Sequence, residues 1–196
     1  MLNFILLNYL NDFLKLLPYK QLQKRKHDQR QYLEQKRRIV NEEERRSASA
    51  SVVESLLQND KFIAARRVLI YYPMRHEISL LGLLDAAPDK EYFLPKVHRS
   101  SIEVLPYKKG DLLKRGKFGV KEPQSATFRG DLDLIIVPGV GFDKNNYRIG
   151  RGGGYYDRFL KRYSKVPSIG VGYSFQLVDE VIRSKHDQRL SEVIVG

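Results

Sequence analysis

Apolar positions along this chain fall in short runs, and their spacing changes character partway. From Pro18 to about residue 40 the chain is almost wholly polar and rich in Lys, Gln and Arg, residue types that favour helix. Asn41 then reads as an N-cap. Glu42, Glu43 and Glu44 follow in the first turn, where carboxylates suit the helix dipole, and Glu44 sits where a capping box needs it. The helix so begun carries Ala48, Val52, Leu56 and Leu57 on one face. Beyond it, Val68-Leu69-Ile70-Tyr71-Tyr72 is a β-rich apolar run closed by Pro73, and Leu134-Ile135-Ile136-Val137 is another, closed by Pro138. Both read as buried strands. Further strands are expected at Tyr92-Phe93-Leu94 (ended by Pro95), at residues 102–107 as a hairpin partner, at Ile169-Gly170-Val171-Gly172 and at Val193-Ile194-Val195. Helices are expected over residues 78–87 and 155–163.

Alternating strands and helices predict an α/β fold: a single-domain three-layer sandwich with a mostly parallel central sheet flanked by helices. The domain is expected over residues 23–196, with residues 1–22 an N-terminal extension or helix of no assigned role. In such sheets ligands sit beyond the carboxyl ends of the strands. Residues 73–77, 95–98 and 138–154 all leave strand ends and carry polar or glycine-rich sequence, so the site is expected where they meet.

Composition narrows this picture. The 196 residues suit one moderate domain, and 42% hydrophobic with 30% charged residues is ordinary for a globular protein, so disorder is not expected. There is no cysteine, which excludes disulfides and thiolate metal sites and removes any reason to expect an oxidising compartment. The apolar start, residues 1–10, lacks a basic leader and a small-residue cleavage site, and no run approaches the ~20 apolar residues of a membrane span. A cytoplasmic protein is expected. The net charge of +12 points to anionic partners, and the excess is concentrated: residues 15–46 hold eleven Lys or Arg against five Asp or Glu. Nucleic acid, an acidic membrane surface and a nucleotide all stay open on charge alone, as does a merely solvated helix face.

The chemistry concentrates in the connection over residues 138–154, long for a strand-to-helix link and holding six glycines, at 139, 141, 150, 152, 153 and 154. Glycines let backbone N–H groups approach a bulky anion, and a following helix N-terminus favours phosphate. Arg148 and Arg151 add planar donors, and Asp157, in the first helical turn, is placed to hold a Mg2+ that bridges phosphates. No Gly-Lys-Ser/Thr follows, so this is no Walker A loop, and the glycines do not follow the strand as a dinucleotide fingerprint requires. An anion cradle and an exposed loop with Asp157 as a helix-start acid both remain open. Lys26 and Arg30, four apart, share a helix face and could reach an anion site or form a solvated stripe. Glu77, after a strand end, could bind a substrate donor or be an exposed loop acid.

The runs Val137-Pro138-Gly139-Val140-Gly141-Phe142-Asp143 and Arg148-Ile149-Gly150-Arg151-Gly152-Gly153-Gly154-Tyr155-Tyr156-Asp157-Arg158-Phe159-Leu160 closely resemble the signature of the 5-formyltetrahydrofolate cyclo-ligase family. Lys26 and Arg30, the segment ending at Glu77, Leu94-Pro95-Lys96-Val97, Phe118-Gly119-Val120-Lys121-Glu122-Pro123, Gln176 and Asp187 fit it in order. The resemblance spans about residues 24–195. It implies an enzyme that closes 5-formyltetrahydrofolate to 5,10-methenyltetrahydrofolate with MgATP, by phosphorylation of the formyl oxygen and attack of N10. Carried over by position, Lys26, Arg30 and the loop from Arg148 through Tyr156 would hold ATP, with Arg148 and Lys26 as catalytic cations. Arg30, Tyr72, Glu77, Arg151, Gly152, Gly153, Gly154 and Tyr155 would face the folate. Asp157 would bind Mg2+, with Asp187 a second candidate. The resemblance implies a monomer without nucleic-acid or membrane partners, and the basic balance would favour polyglutamylated folates. Two positions depart from the family's pattern: Gly153, where many members carry lysine, and Ser191, where a second acid often follows the tail aspartate. Two alternatives from other classes stand beside this one: a basic nucleic-acid-binding module, and a sugar-phosphate isomerase or acyl-CoA enzyme on a similar scaffold.

Overall fold

The computed structural model describes residues 19–196. The expectations for the apolar start therefore lie outside the described residues. In chain order the elements are α1 (Tyr19–Arg38), α2 (Glu42–Leu57), α3 (Asp60–Ala64), β1 (Arg67–Leu69), α4 (Leu83–Ala86), β2 (Glu91–His98), β3 (Ser101–Tyr107), β4 (Leu113–Arg115), β5 (Lys121–Pro123), β6 (Leu134–Pro138), β7 (Gly141–Asp143), β8 (Arg148–Ile149), α5 (Tyr155–Arg162), β9 (Ser168–Gly172), β10 (Leu177–Val178) and β11 (Glu192–Val195). The capping box at Asn41 forms as the sequence requires: the Asn41 side chain accepts from the Glu44 N–H at 2.9 Å, and the Glu44 carboxylate accepts from the Asn41 N–H at 3.0 Å.

Six strands form the central sheet, in the order β11-β9-β6-β1-β2-β3. All neighbours are parallel except β2 and β3, which pair as an antiparallel hairpin. The fold is α/β as expected. On one face, Val52, Leu56 and Phe62 from α2 and α3 pack on Val68, Ile70, Leu134, Ile136 and Ile169. On the other, Phe159 and Leu160 from α5 pack on Leu69, Ile135, Val137 and Phe142. The alternation of Leu134, Ile135, Ile136 and Val137 between the two clusters is the period of a strand buried on both faces. No helix among the described residues is long and apolar enough to cross a membrane.

The strand order sets the site. Chain progression runs toward β3 on one side of β1 and toward β11 on the other, so the connections leaving β1 and β6 diverge at adjacent carboxyl ends. Such a switch point opens a crevice that suits ligands. Helix α1 lies against the connection leaving β6: its one buried apolar residue, Leu33, packs with Val140, Ile149 and Val181, and burying a leucine contributes about 1.5–3 kcal/mol. A Cβ at Gly141 would stand 2.5 Å from the Leu33 Cδ1, so the approach requires glycine there. Gln29 clamps the same helix to the tail, donating to the Glu180 carbonyl at 2.8 Å and accepting from the Ile182 N–H at 2.9 Å.

Three expectations are corrected. The helix expected over residues 78–87 shrinks to Leu83–Ala86. Ile78 and Leu80 are buried instead in irregular chain, held where the Tyr71 hydroxyl donates to the Ile78 carbonyl at 2.8 Å and the Ser79 N–H donates to the Ser49 Oγ at 2.9 Å. Tertiary contacts override propensity there. Residues 95–98 are not a loop. β2 runs on through Pro95, which sits opposite Val104; parallel pairing with β1 ends at Phe93, so the missing N–H leaves no gap in that ladder. Finally, residues 138–154 are no open loop: β7 and β8 pair within them, and β10 adds to β7. Asp143 pins the turn, its carboxylate accepting from the N–H groups of Asn145, Tyr147 and Val181 at 2.9, 3.0 and 3.2 Å.

Candidate functional site

The inner face of α1 is built from charged residues. Its buried positions are Lys26, Leu33 and Arg37, with Gln29, Arg30 and Glu34 half-buried beside them. The spacing of 26, 30, 33 and 37 is that of one helix face, where a structural helix would carry leucines. The basic-stripe alternative for Lys26 and Arg30 is therefore overturned: these side chains turn toward the protein.

Lys26 forms a short ion pair with Asp187, each side chain about one-tenth exposed. Asp187 is fixed in turn by the Ser184 N–H at 2.8 Å and the Ser184 hydroxyl at 3.2 Å. One residue on, the Gln188 N–H reaches the Asp157 Oδ1 at 3.4 Å. The same oxygen accepts from the Arg148 Nη2 at 3.0 Å. Lys26, Asp187, Asp157 and Arg148, drawn from α1, the tail, α5 and β8, thus form one continuous polar wall. Arg30 closes it by donating from Nε to the Gly150 carbonyl at 2.7 Å, and its guanidinium lies 3.6 Å from where a Gly152 Cβ would stand.

Arg148 sits beneath the glycine segment with its side chain 4% exposed. A Cβ at Gly150 would come 2.7 Å from its Nη1, so glycine lets the guanidinium pass. Its Nε is buried without a hydrogen-bond partner, a donor held in place for an acceptor. Gly152 and Gly154 have φ of 100° and 64°, which side chains rarely adopt. Gly154 starts α5 with no side-chain cap, leaving the helix N-terminal N–H groups toward the loop.

The two tyrosines that follow diverge. Tyr156 turns inward: its hydroxyl is buried without a partner, Arg148 lies 5.5 Å over its ring, and burial pushes its phenol well above the ordinary range. Tyr155 turns to the β2–β3 hairpin, donating to the Arg99 carbonyl at 3.5 Å, with Phe118 edge-on at 5.9 Å. It also explains Gly153: a Cβ there would meet the Tyr155 ring at 2.5 Å, so a side chain at this position would require that ring to shift.

Glu77 is buried in the β1 connection. Its Oε2 accepts from the Met74 N–H at 3.0 Å and its Oε1 from the Arg151 Nη2 at 3.2 Å, while the Arg37 Nη1 lies 3.6 Å from the same Oε1. The exposed-acid alternative for Glu77 is thereby overturned. Tyr72 is half-buried beside a cavity of about 250 Å3 lined by Arg75, Arg115 and Lys121, with the Lys121 Nζ 5.3 Å from its ring centre. Ser191, by contrast, is bonded through its hydroxyl to the Ser168 N–H at 3.1 Å, at the amino end of β9 and away from this crevice. Arg37, Glu34 and Tyr173 escaped the sequence reading. The helix-face spacing could have found the first two; Tyr173, just past the end of β9 with its hydroxyl buried and unpartnered, gave no signal.

No group of three or more His, Asp or Glu side chains that could cage a metal occurs among the described residues. Asp157 is the carboxylate that fits a cation: one oxygen is engaged, the side chain is about a fifth exposed, and Mg2+ typically takes one or two carboxylates and completes its shell with phosphates and water. Both Asp187 oxygens are already used by Lys26 and Ser184.

Comparison with known proteins places the chain in a family. The sequence pattern of the 5-formyltetrahydrofolate cyclo-ligase family matches residues 22–196. The cyclo-ligase of Mus musculus is 26% identical over 180 residues, 83% of this chain and 89% of that one. The one from Haemophilus influenzae is 30% identical over 76% of this chain and 86% of its own length. The solution structure of Aquifex aeolicus 5,10-methenyltetrahydrofolate synthetase is similar with a TM-score of 0.77 at 36% identity, covering 87% of this chain and 88% of that one. The family match runs from within α1 to the last residue and includes all the residues of the polar wall, so the chain belongs to the 5-formyltetrahydrofolate cyclo-ligase family.

Proposed function

We propose that this enzyme converts 5-formyltetrahydrofolate to 5,10-methenyltetrahydrofolate with hydrolysis of ATP to ADP and phosphate. The observation that carries the reading is the wall of Lys26, Arg30, Arg148 and the glycine segment at the sheet's switch point, facing Glu77 across Arg151. A formyl oxygen is a poor leaving group, and phosphorylation makes it a good one. The oxygen attacks the γ-phosphorus as the bond to the ADP oxygen breaks. N10 then attacks the activated carbon, loses its proton to solvent, and phosphate departs with the former formyl oxygen. Lys26 and Arg148 stabilise charge spreading over the transferring phosphoryl group, and the loop N–H groups orient it. Mg2+ arriving with the nucleotide would neutralise phosphate charge, with Asp157 as its protein ligand. Glu77 accepts hydrogen bonds from the pterin, and Tyr72 lines its approach. The reading takes the enzyme as a cytoplasmic monomer.

The test is growth of the near-ultraviolet methenyl band from 5-formyltetrahydrofolate, expected only with both ATP and Mg2+ present. Folded, pure protein that yields no band overturns the reading. The cavity lined by Arg75, Arg115 and Lys121 adds an expectation about the folate tail. A triglutamyl substrate should show a KM several-fold below that of the monoglutamate at low salt, converging as ionic strength rises and screens the cations. Equal values at low salt would remove the cavity from the folate site.

A further inference from the structure

Arg37 has no place in the mechanism above, yet it is among the most deeply buried cations described. Its side chain is 5% exposed at the last turn of α1, and Glu77 is its ion-pair partner among the described residues, at 3.6 Å. Burial lowers its pKa, and Glu77 acts in the opposite direction. A guanidinium does not shed its proton in proteins, so a charge stays buried there. Buried ion pairs are weak contributors to stability, because desolvation offsets most of the attraction. A buried arginine directed at one carboxylate therefore calls for another explanation.

Glu77 holds two arginines of unlike character. Arg151 is 46% exposed and also lies 3.9 Å from Glu34; it rides on the loop segment beside Gly152. Arg37 is set in a helix whose neighbouring Leu33 and Lys26 are pinned. Burial raises the phenols of Tyr71, Tyr156 and Tyr173, with Glu77 the next cause at Tyr71 and Tyr156, and the hydroxyls of Tyr156 and Tyr173 have no hydrogen-bond partner. Of the two arginines on the Glu77 Oε1, Arg151 is the exposed one and Arg37 the buried one.

On the reading of Glu77 as a substrate-binding carboxylate, we propose that Arg37 is its positioning residue: a fixed counter-ion that keeps Glu77 oriented when Arg151 leaves to admit the folate. Arg37 acts through Glu77 and touches neither folate nor nucleotide.

The experiment is a double-mutant cycle on the full chain, with Arg37→Met, Arg37→Lys, Glu77→Gln and the Arg37→Met/Glu77→Gln pair. Arg37→Met should raise the KM for 5-formyltetrahydrofolate roughly tenfold, within the range of directly coupled side chains. The KM for ATP and kcat should stay within about threefold, because the phosphate wall is untouched. Arg37→Lys keeps the charge and should recover part of the loss. In the Glu77→Gln background, Arg37→Met should add nothing further. A structural role would move both KM values together and persist in that background, and either result overturns the proposal. Should Arg37→Met fail to fold, as thermal melting will show, Arg37→Lys carries the test: a folate KM unchanged from wild type refutes it. Wild-type enzyme inert toward 5-formyltetrahydrofolate would instead sink the reading of function, which separates the two failures.

Discussion

Arg148→Ala should lower kcat by roughly two to three orders of magnitude, the cost of removing one preorganised donor to a developing anion. The expectation rests on how the side chain is held. It is 4% exposed, its Nη2 is engaged by Asp157 at 3.0 Å, Gly150 leaves room for its Nη1, and its Nε waits buried without a partner. A cation so fixed needs little reorganisation as charge develops on phosphate, and in a desolvated crevice it acts more strongly than it would in water. The KM values should change less than kcat if its contacts strengthen in the transition state. Arg148→Lys keeps a charge but loses the fork that reaches both Asp157 and phosphate, so it should recover only a small part of the rate. The measurement is the methenyl absorbance at saturating ATP and folate, with a thermal melt to show that the variant is folded. A folded Arg148→Ala enzyme within a few-fold of wild-type kcat would remove Arg148 from the phosphoryl-transfer machinery.

Why some of this was legible in the sequence, and some was not, follows from range. The capping box at Asn41 is a contact of three residues, so the sequence contains it whole. The runs Leu134-Ile135-Ile136-Val137 and Ile169-Gly170-Val171 carry no polar side chain, and a sheet covered on both faces needs that. The apolar spacing of residues 78–80 fits a helix, while the contacts that hold them out of one come from Tyr71 and Ser49. The stretch over residues 138–154 looked like one open loop because two-residue and three-residue strands leave no periodicity to read. At the site, the glycine and arginine content of the loop was visible, but its depth was not. Lys26, Arg30 and Glu77 looked like surface charges, since charge alone does not say which way a helix faces. Leu33, the buried apolar residue on the helix that carries Lys26 and Arg30, is the available clue: whatever shares its face is buried with it.

Lys26→Met should lower kcat/KM for ATP by roughly a hundredfold, and it also decides what Asp187 does. Methionine keeps the length and apolar stem of lysine, so the packing of α1 should survive while the charge is lost. The variant leaves Asp187 without its counter-ion in a site about one-tenth exposed, and breaking such a pair costs about 3–5 kcal/mol. A lower melting temperature is therefore expected, and adding Asp187→Asn should restore part of it by removing the stranded charge. The catalytic readout separates two roles for Asp187. Ser184 already supplies two donors to its carboxylate and Lys26 a third, which describes a residue that aims the Lys26 ammonium. In that case Asp187→Asn alone should slow turnover, and in the Lys26→Met background it should slow it no further. A metal ligand would behave differently. Its loss would raise the Mg2+ concentration needed for half-maximal rate, whether or not Lys26 is present. A Mg2+ titration of the four enzymes therefore reads the assignment directly, and a Mg2+ requirement that rises with Asp187→Asn in both backgrounds would return Asp187 to the metal site beside Asp157.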